Sequence, residues 1–262
     1  MKFLFFLSIF TTLIAAPLAM AEDSSLHSFV SQLDSSLRHI NRSEVNKPCA
    51  VKPLLPTSAQ TTTYQGQKVT VLSEQDAQEL FKEMQAHTEI PFDFAIAGCE
   101  ERAHEMSRLM MLKGITPLKG FASVNENDAP RLKVPHPTKP GKTIEWKYHV
   151  APVVLVQKDG KLIPYSVDPS IEKAAVPTTS WLNDMTRHDP KMKVKMEYTA
   201  ASRFDVDGRI RVDPANKEFT KSNQESLQQF KKLSKDPDGE DEYLFQLQRD
   251  QERMDMIDGV GQ

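Results

Sequence analysis

The segment Glu145 to Ser170, EWKYHVAPVVLVQKDGKLIPYSVDPS, constrains the fold more than any other part of this sequence. A strand that is apolar on both faces runs into Asp159-Gly160, a strong signal for a two-residue hairpin turn, and KLIPYSVDPS returns. With Asp159 and Gly160 as the turn, the register is fixed. His149 falls opposite Ser170 and Asp168 opposite Ala151, so His149 and Asp168 are diagonal neighbours on one face. Pro152 and Pro164 are the residues able to interrupt this pairing. Trp146 and Tyr148 share the opposite face in a regular strand, which makes core packing the expectation for both. Trp146, near the strand's start, is also the candidate substrate-binding wall.

A second segment, AIAGCEERAHEMSRLM from Ala95 to Met110, places Cys99 at the start of a helix that Gly114 should end. Cys99, Ala103, Met106 and Met110 share one face, so the thiol points inward. A helix start carries partial positive charge and free N–H groups, which favour a thiolate and can hold an oxyanion. A cysteine there, with a histidine oriented by an aspartate, is the general arrangement of an activated nucleophile. Spacing alone leaves a core cysteine or a disulfide open, because the chain has two cysteines, Cys49 and Cys99. His104 and Glu105 suggest a zinc helix, but position 108 is Arg, and a structural polar contact is expected of His104. Arg102 reads as a first-turn anchor to a carboxylate. Asp184, His188 and Asp189 read as a polar loop without metal-ligand spacing.

The start of the chain sets the compartment. Lys2, the apolar run Phe3 to Ala16 and Ala19-Met20-Ala21 describe a signal peptide over 1–21, so a secreted or periplasmic location is expected. Leu26, Phe29, Val30, Leu33 and Leu37 predict a helix within 22–48, and Asn46 to Gln67 reads as an extended proline-rich connector. A short strand follows, then a helix capped by Ser73 with Ala77, Leu80, Phe81 and Met84 inward. Residues 126–143 read as a surface loop, and Lys191 to Tyr198 as a half-buried strand. The catalytic domain is expected over 69–212, and 213–262 as a polar helical extension with Phe219, Leu227 and Phe230 on one face. A net charge of −3 and the lack of a basic, aromatic-rich stripe argue against nucleic acid.

The motifs IPFDFAIAGCEERAHEMSRLM, WKYHVAPVVLV and YSVDPSI, with TTSW ending at Trp181, resemble the bacterial protein-glutaminases. These are secreted enzymes that deamidate glutamine side chains in proteins. The likeness spans about residues 70–182 and rests on GCxxRAHxM, WxYHVA and DPS occurring in that order. It implies Cys99 as nucleophile, His149 as base and Asp168 as its orienting partner, with protein substrates and no metal or organic cofactor. Since members of the family are made as proenzymes, it also implies that residues 22–68, with their breaker-rich connector, form an inhibitory prosegment whose Cys49 lies close to Cys99. The implied fold is α+β, an antiparallel sheet against the Cys99 helix, as in papain-like and transglutaminase-like cores. A thiol peptidase or acyltransferase would use the same three residues. From another class, a non-catalytic secreted binding protein would carry a Cys49–Cys99 disulfide.

Overall fold

The computed structural model describes residues 60–125 and 131–259, all within one compact unit, Ala50–Gln262. The signal peptide, the helix expected within 22–48 and Cys49 lie outside the described residues. In chain order the first elements are β1 (Gln60–Tyr64), β2 (Gln67–Leu72), α1 (Glu74–Ala86), α2 (Cys99–Leu112) and β3 (Leu118–Ser123). Then come β4 (Leu132–Pro135), β5 (Thr143–Trp146), β6 (Tyr148–Lys158), β7 (Lys161–Ser166) and β8 (Val176–Pro177). The rest are α3 (Thr178–Thr186), β9 (Lys195–Ala200), α4 (Lys217–Leu233) and α5 (Gly239–Gly259). The fold is α+β, a multi-stranded sheet with helices, and among the described residues no helix is long and apolar enough to cross a membrane.

The sheet is built around β6, whose residues from His149 to Val156 are all buried. It pairs antiparallel with β3 and β7 and parallel with β2, through Val71 opposite Leu155. β1 and β9 complete the two ends of the path β1-β2-β6-β3-β9, and β8 adds to β7. The β6–β7 hairpin has the register that Asp159-Gly160 predicts, from Lys158 opposite Lys161 to Val153 opposite Ser166. Both turn residues have positive φ, 50° and 72°, as a type I′ turn requires. Neither proline disturbs it. Pro164 pairs with Leu155, and the Pro152 carbonyl accepts from Val167 N–H at 2.9 Å.

Three expectations are corrected. Residues 60–67, read as part of the connector, belong to the β1–β2 hairpin at the sheet's edge. Their Thr-rich alternation suits an edge strand, and Gln65-Gly66 makes the tight turn. The excursion read as a surface loop contains β4, which pairs with β5 and buries Leu132 and Val134 against Ile144 and Trp146. The last strand spans Lys195–Ala200 rather than starting at Lys191.

α1 and α2 bury a common core with Val154, Val156 and Tyr165. Ser73 caps α1 by accepting from Asp76 N–H at 3.0 Å, and Ala77, Leu80, Phe81 and Met84 face inward as the spacing predicts. α2 is buried nearly all round, because the C-terminal helices cover the side that the sheet leaves open. Asn223 Nδ2 on α4 donates to Glu101 O at 3.1 Å, and Gln224 Nε2 to Glu105 Oε1 at 3.0 Å. Phe230 stacks on Phe94 at 5.4 Å, and Tyr243 of α5 meets both rings edge-on. At the start of α5, Glu240 accepts from His136 at 2.9 Å and pairs with Lys139, tying α5 to the β4–β5 connection.

Candidate active site

Cys99 opens α2 on a left-handed Gly98, φ 73°. That conformation is favourable for glycine alone, and it lets the chain enter the helix directly beneath Phe230. Arg102, one turn on, is fully enclosed and donates to the carbonyls of Phe94 at 2.9 Å and Ala97 at 2.6 Å. It is therefore an anchor for the loop before Cys99, but it holds carbonyls, not the carboxylate expected. Cys99 is a free, buried thiol. It packs with Ala103, Phe121 and Val150, and the Val150 backbone N–H is directed at its sulfur.

The environment of this thiol differs from the expectation of a favoured thiolate. Burial pushes its pKa well up, Glu100 and Glu101 add to the rise, and Arg102 and the Val150 N–H oppose it. Removing a charge from water outweighs the first-turn N–H groups here. The resting sulfur is a protonated thiol.

His149 and Asp168 are brought into direct contact. The imidazole Nε2–H donates to Asp168 Oδ2 at 2.8 Å, the diagonal contact that the hairpin register dictates. Asp168 also accepts from Trp181 Nε1–H at 2.9 Å on the same oxygen. Its other oxygen accepts from Ser170 N–H at 3.2 Å and from the Ser170 hydroxyl. Burial works against ionisation, but His149, Ser170 and Trp181 together hold the carboxyl down at about 2. An ionised carboxylate fixes Nε2 as the protonated nitrogen. Nδ1 is left as the proton acceptor, buried and with no hydrogen-bond partner.

Trp146 is placed against His149, with ring centroids 4.6 Å apart and planes 17° from parallel. The even–odd argument fails here because Trp146 and His149 are not on one continuous strand. β5 ends at Trp146, β6 starts at Tyr148, and the two belong to different sheets. Trp146 Nε1–H donates to Ala95 O at 3.1 Å, linking the imidazole to the loop before Cys99. Tyr148 donates to Glu100 Oε1 at 2.7 Å, beside the nucleophile position, and burial raises the Glu100 carboxyl to about 8, with Glu101 adding to it. His104 is buried with both ring nitrogens unpartnered and sits edge-on to Phe204 and Phe219. Burial lowers its pKa to about 3, so its contacts are aromatic and not the polar ones expected. Asp184 lies on α3, not in a loop, and hydrogen-bonds Glu172, whose carboxyl is raised to about 8 by burial and then by Asp184.

Sequence reasoning missed Ser170 as a donor to Asp168, and Val206, which packs from the loop after β9 against the cluster of Cys99, Ala103, Phe121 and Val150. Ser170 follows Asp168 by two residues in DPS, the spacing of an Asx turn, and that signal was available. Nothing local marks Val206.

Residues 77–185 match the family model described as glutaminase. No curated protein matches the chain. The fold is similar to the NMR structure of protein-glutaminase from Chryseobacterium proteolyticum, with a TM-score of 0.51 and 22% identity over 62% of this chain and 90% of that one. A crystal structure of protein-glutaminase gives 0.47 and 23%, covering 61% and 90%. One of pro-protein-glutaminase gives 0.48 and 22%, covering 68% and 63%.

Proposed function

We propose that this chain, which by its residues 77–185 belongs to the glutaminase family and is an amidohydrolase, is a secreted protein-glutamine deamidase acting through Cys99, His149 and Asp168. The observation that carries this reading is the buried His149–Asp168 pair with its free Nδ1, one residue along β6 from the N–H directed at the Cys99 sulfur.

Because the thiol rests protonated, the cycle begins with general-base catalysis. His149 Nδ1 takes the Cys99 proton as the sulfur attacks the side-chain carboxamide carbon of glutamine. Asp168 stabilises the imidazolium that forms, and the Trp146 ring lies parallel to it. The Cys99 N–H, free at the first turn of α2, and the Val150 N–H are the donors available to the oxyanion. His149 then returns the proton to the departing nitrogen, ammonia leaves, and a thioester remains. Water gives a proton to His149 and attacks the thioester; the proton passes to the departing sulfur, and the side chain is released as glutamate.

The test is ammonia release from a protein substrate such as casein, with peptide cleavage scored in parallel. Ammonia without cleavage is expected, and a folded Cys99→Ala variant should release none. Cleavage without ammonia would make the enzyme a peptidase. Release retained by Cys99→Ala would end the mechanism. Export by the 1–21 signal peptide and inhibition by a prosegment belong to the same proposal. The prosegment read from the sequence as 22–68 overlaps Gln60–Tyr64, which is paired into the sheet, so we take the removable part to end before residue 60.

A further inference from the structure

Cys99 and His149 lie on α2 and β6, and most of what joins these two elements is apolar. Met106 and Met110 share a cluster with Val154 and Val156, and Ala103 shares one with Val150. Apolar burial is non-directional and does not by itself fix how far one element slides along another. Among the described residues, the directional contacts between α2 and β6 are two, both at the first turn of the helix. The Val150 N–H is directed at the Cys99 sulfur, and the Tyr148 hydroxyl donates to Glu100 Oε1 at 2.7 Å. Glu100 follows Cys99 and Tyr148 precedes His149, so the two contacts bracket His149 along the strand.

The charge state of Glu100 is set by its surroundings. An acid in the first turn of a helix is ordinarily stabilised as an anion by the dipole. Here burial and then Glu101 raise the carboxyl to about 8, with Asp205 from the loop after β9 adding to the rise, while Tyr148 and Lys119 act the other way. Lys119 does not pair with it directly, because it donates to the Arg203 carbonyl at 2.8 Å. At neutral pH the carboxyl is therefore uncharged, and its Oε1 still accepts from Tyr148. An ionised Glu100 would oppose loss of the Cys99 proton, which Arg102 favours. A neutral one holds the contact and spares the sulfur that repulsion.

We propose that Glu100 is a positioning residue for Cys99: the hydrogen bond from Tyr148 locks the first turn of α2 to the start of β6 and so holds the sulfur within reach of His149, with the carboxyl in its neutral form. Glu100 acts through Tyr148 and touches no reacting atom. Its part in turnover rests on the deamidase reading, but the clasp beside Cys99 does not.

The test compares Glu100→Ala, Tyr148→Phe, their double variant and Glu100→Gln with wild type. The full-length chain is assayed both uncut and after limited proteolysis before residue 60, each variant against wild type in the same form, so that an inhibitory leader does not decide the result. Casein deamidation, urea unfolding and alkylation of Cys99 by iodoacetamide, located by peptide mass spectrometry, are measured on the same samples. Glu100→Ala and Tyr148→Phe should each lower kcat about tenfold or more with KM within about twofold, because a displaced sulfur slows the reaction without weakening binding. The double variant should match the worse single one within about twofold, since both changes remove one bond. Glu100→Gln, whose amide oxygen accepts from Tyr148, should keep kcat at pH 7 within about threefold and lose the decline that wild type shows as pH rises through about 8. Either single variant within about twofold of wild-type kcat, multiplicative losses in the double variant, or a wild-type pH profile in Glu100→Gln would overturn the proposal. Loss of activity in Glu100→Gln at pH 7 with a lowered urea midpoint would also overturn it, making the role purely structural. If no form of any protein deamidates, the deamidase reading falls and alkylation decides. Faster alkylation of Cys99 in both single variants, not additive in the double, sustains the clasp, and rates within about twofold of wild type overturn it.

Discussion

Asp168→Asn removes a charge while leaving the shape of the site almost unchanged, and the structure says which part of the carboxylate's work is lost. Trp181 Nε1 and His149 Nε2 donate to the same oxygen. An indole N–H can only donate, so an asparagine there must keep its amide oxygen on that side. His149 consequently retains its tautomer, and what disappears is the negative charge beside the imidazolium. At about 4 Å and an effective permittivity of about 20, that charge contributes about 4 kcal/mol, about a thousandfold in rate. The amide nitrogen falls where Ser170 N–H now donates. Leaving that buried donor unpaired costs about 1–3 kcal/mol of stability. Steady-state ammonia release and urea unfolding measure the two effects. Adding Trp181→Phe frees the amide to turn over and flip the tautomer, so the double variant should fall about tenfold below the product of the single effects. A folded Asp168→Asn enzyme within tenfold of wild type would refute the charge argument. A strictly multiplicative double variant would refute the tautomer argument.

Gly98→Ala should destabilise by about 2–5 kcal/mol, from the left-handed backbone and from overpacking. The new Cβ would lie 2.7 Å from the Phe230 ring, and urea unfolding within 0.5 kcal/mol of wild type would contradict the close approach. Acid sensitivity follows from Asp168, whose folded pKa is depressed from 3.8 to about 2. Its contribution, about 2 kcal/mol, is present above pH 4 and lost as pH falls from about 4 to 2; Asp168→Asn should flatten that part of a stability–pH curve. Limited proteolysis before residue 60 should leave a folded core and raise activity, whereas cutting within 60–72 should lower the melting temperature by stripping the β1–β2 hairpin. Full activity of the uncut chain would end the prosegment proposal.

Much of the site was legible because its information is local. Asp159-Gly160 sets the β6–β7 register, and the register alone carries Asp168 to His149. Ser73 and the apolar spacing of α1 are likewise local signals. What failed depended on contacts between distant segments. Trp146 reaches His149 because the chain changes sheets at Lys147, a break that no propensity marks. The thiol of Cys99 is governed by enclosure, which outweighs the helix start, and that enclosure comes from Phe121 and Val150 on strands distant in sequence. His104 looked polar in sequence, yet Phe204 and Phe219 close around it. The 60–67 stretch looked like a connector because its small polar residues suit an edge strand as well as a linker.

The seat of Gly98 under Phe230 has a consequence in time. A chain emerges from the ribosome N-terminus first, so Cys99, His149 and Asp168 are all made before the residue that fixes the turn into α2. Until α4 docks, Phe94 and Gly98 lack the ring they close upon, and the first turn of α2 has no lid on its outer side. Assembly of the helix start that carries Cys99 is therefore a late event in biogenesis, and a partly synthesised chain holds the three groups proposed for catalysis without the ring that seats the first of them.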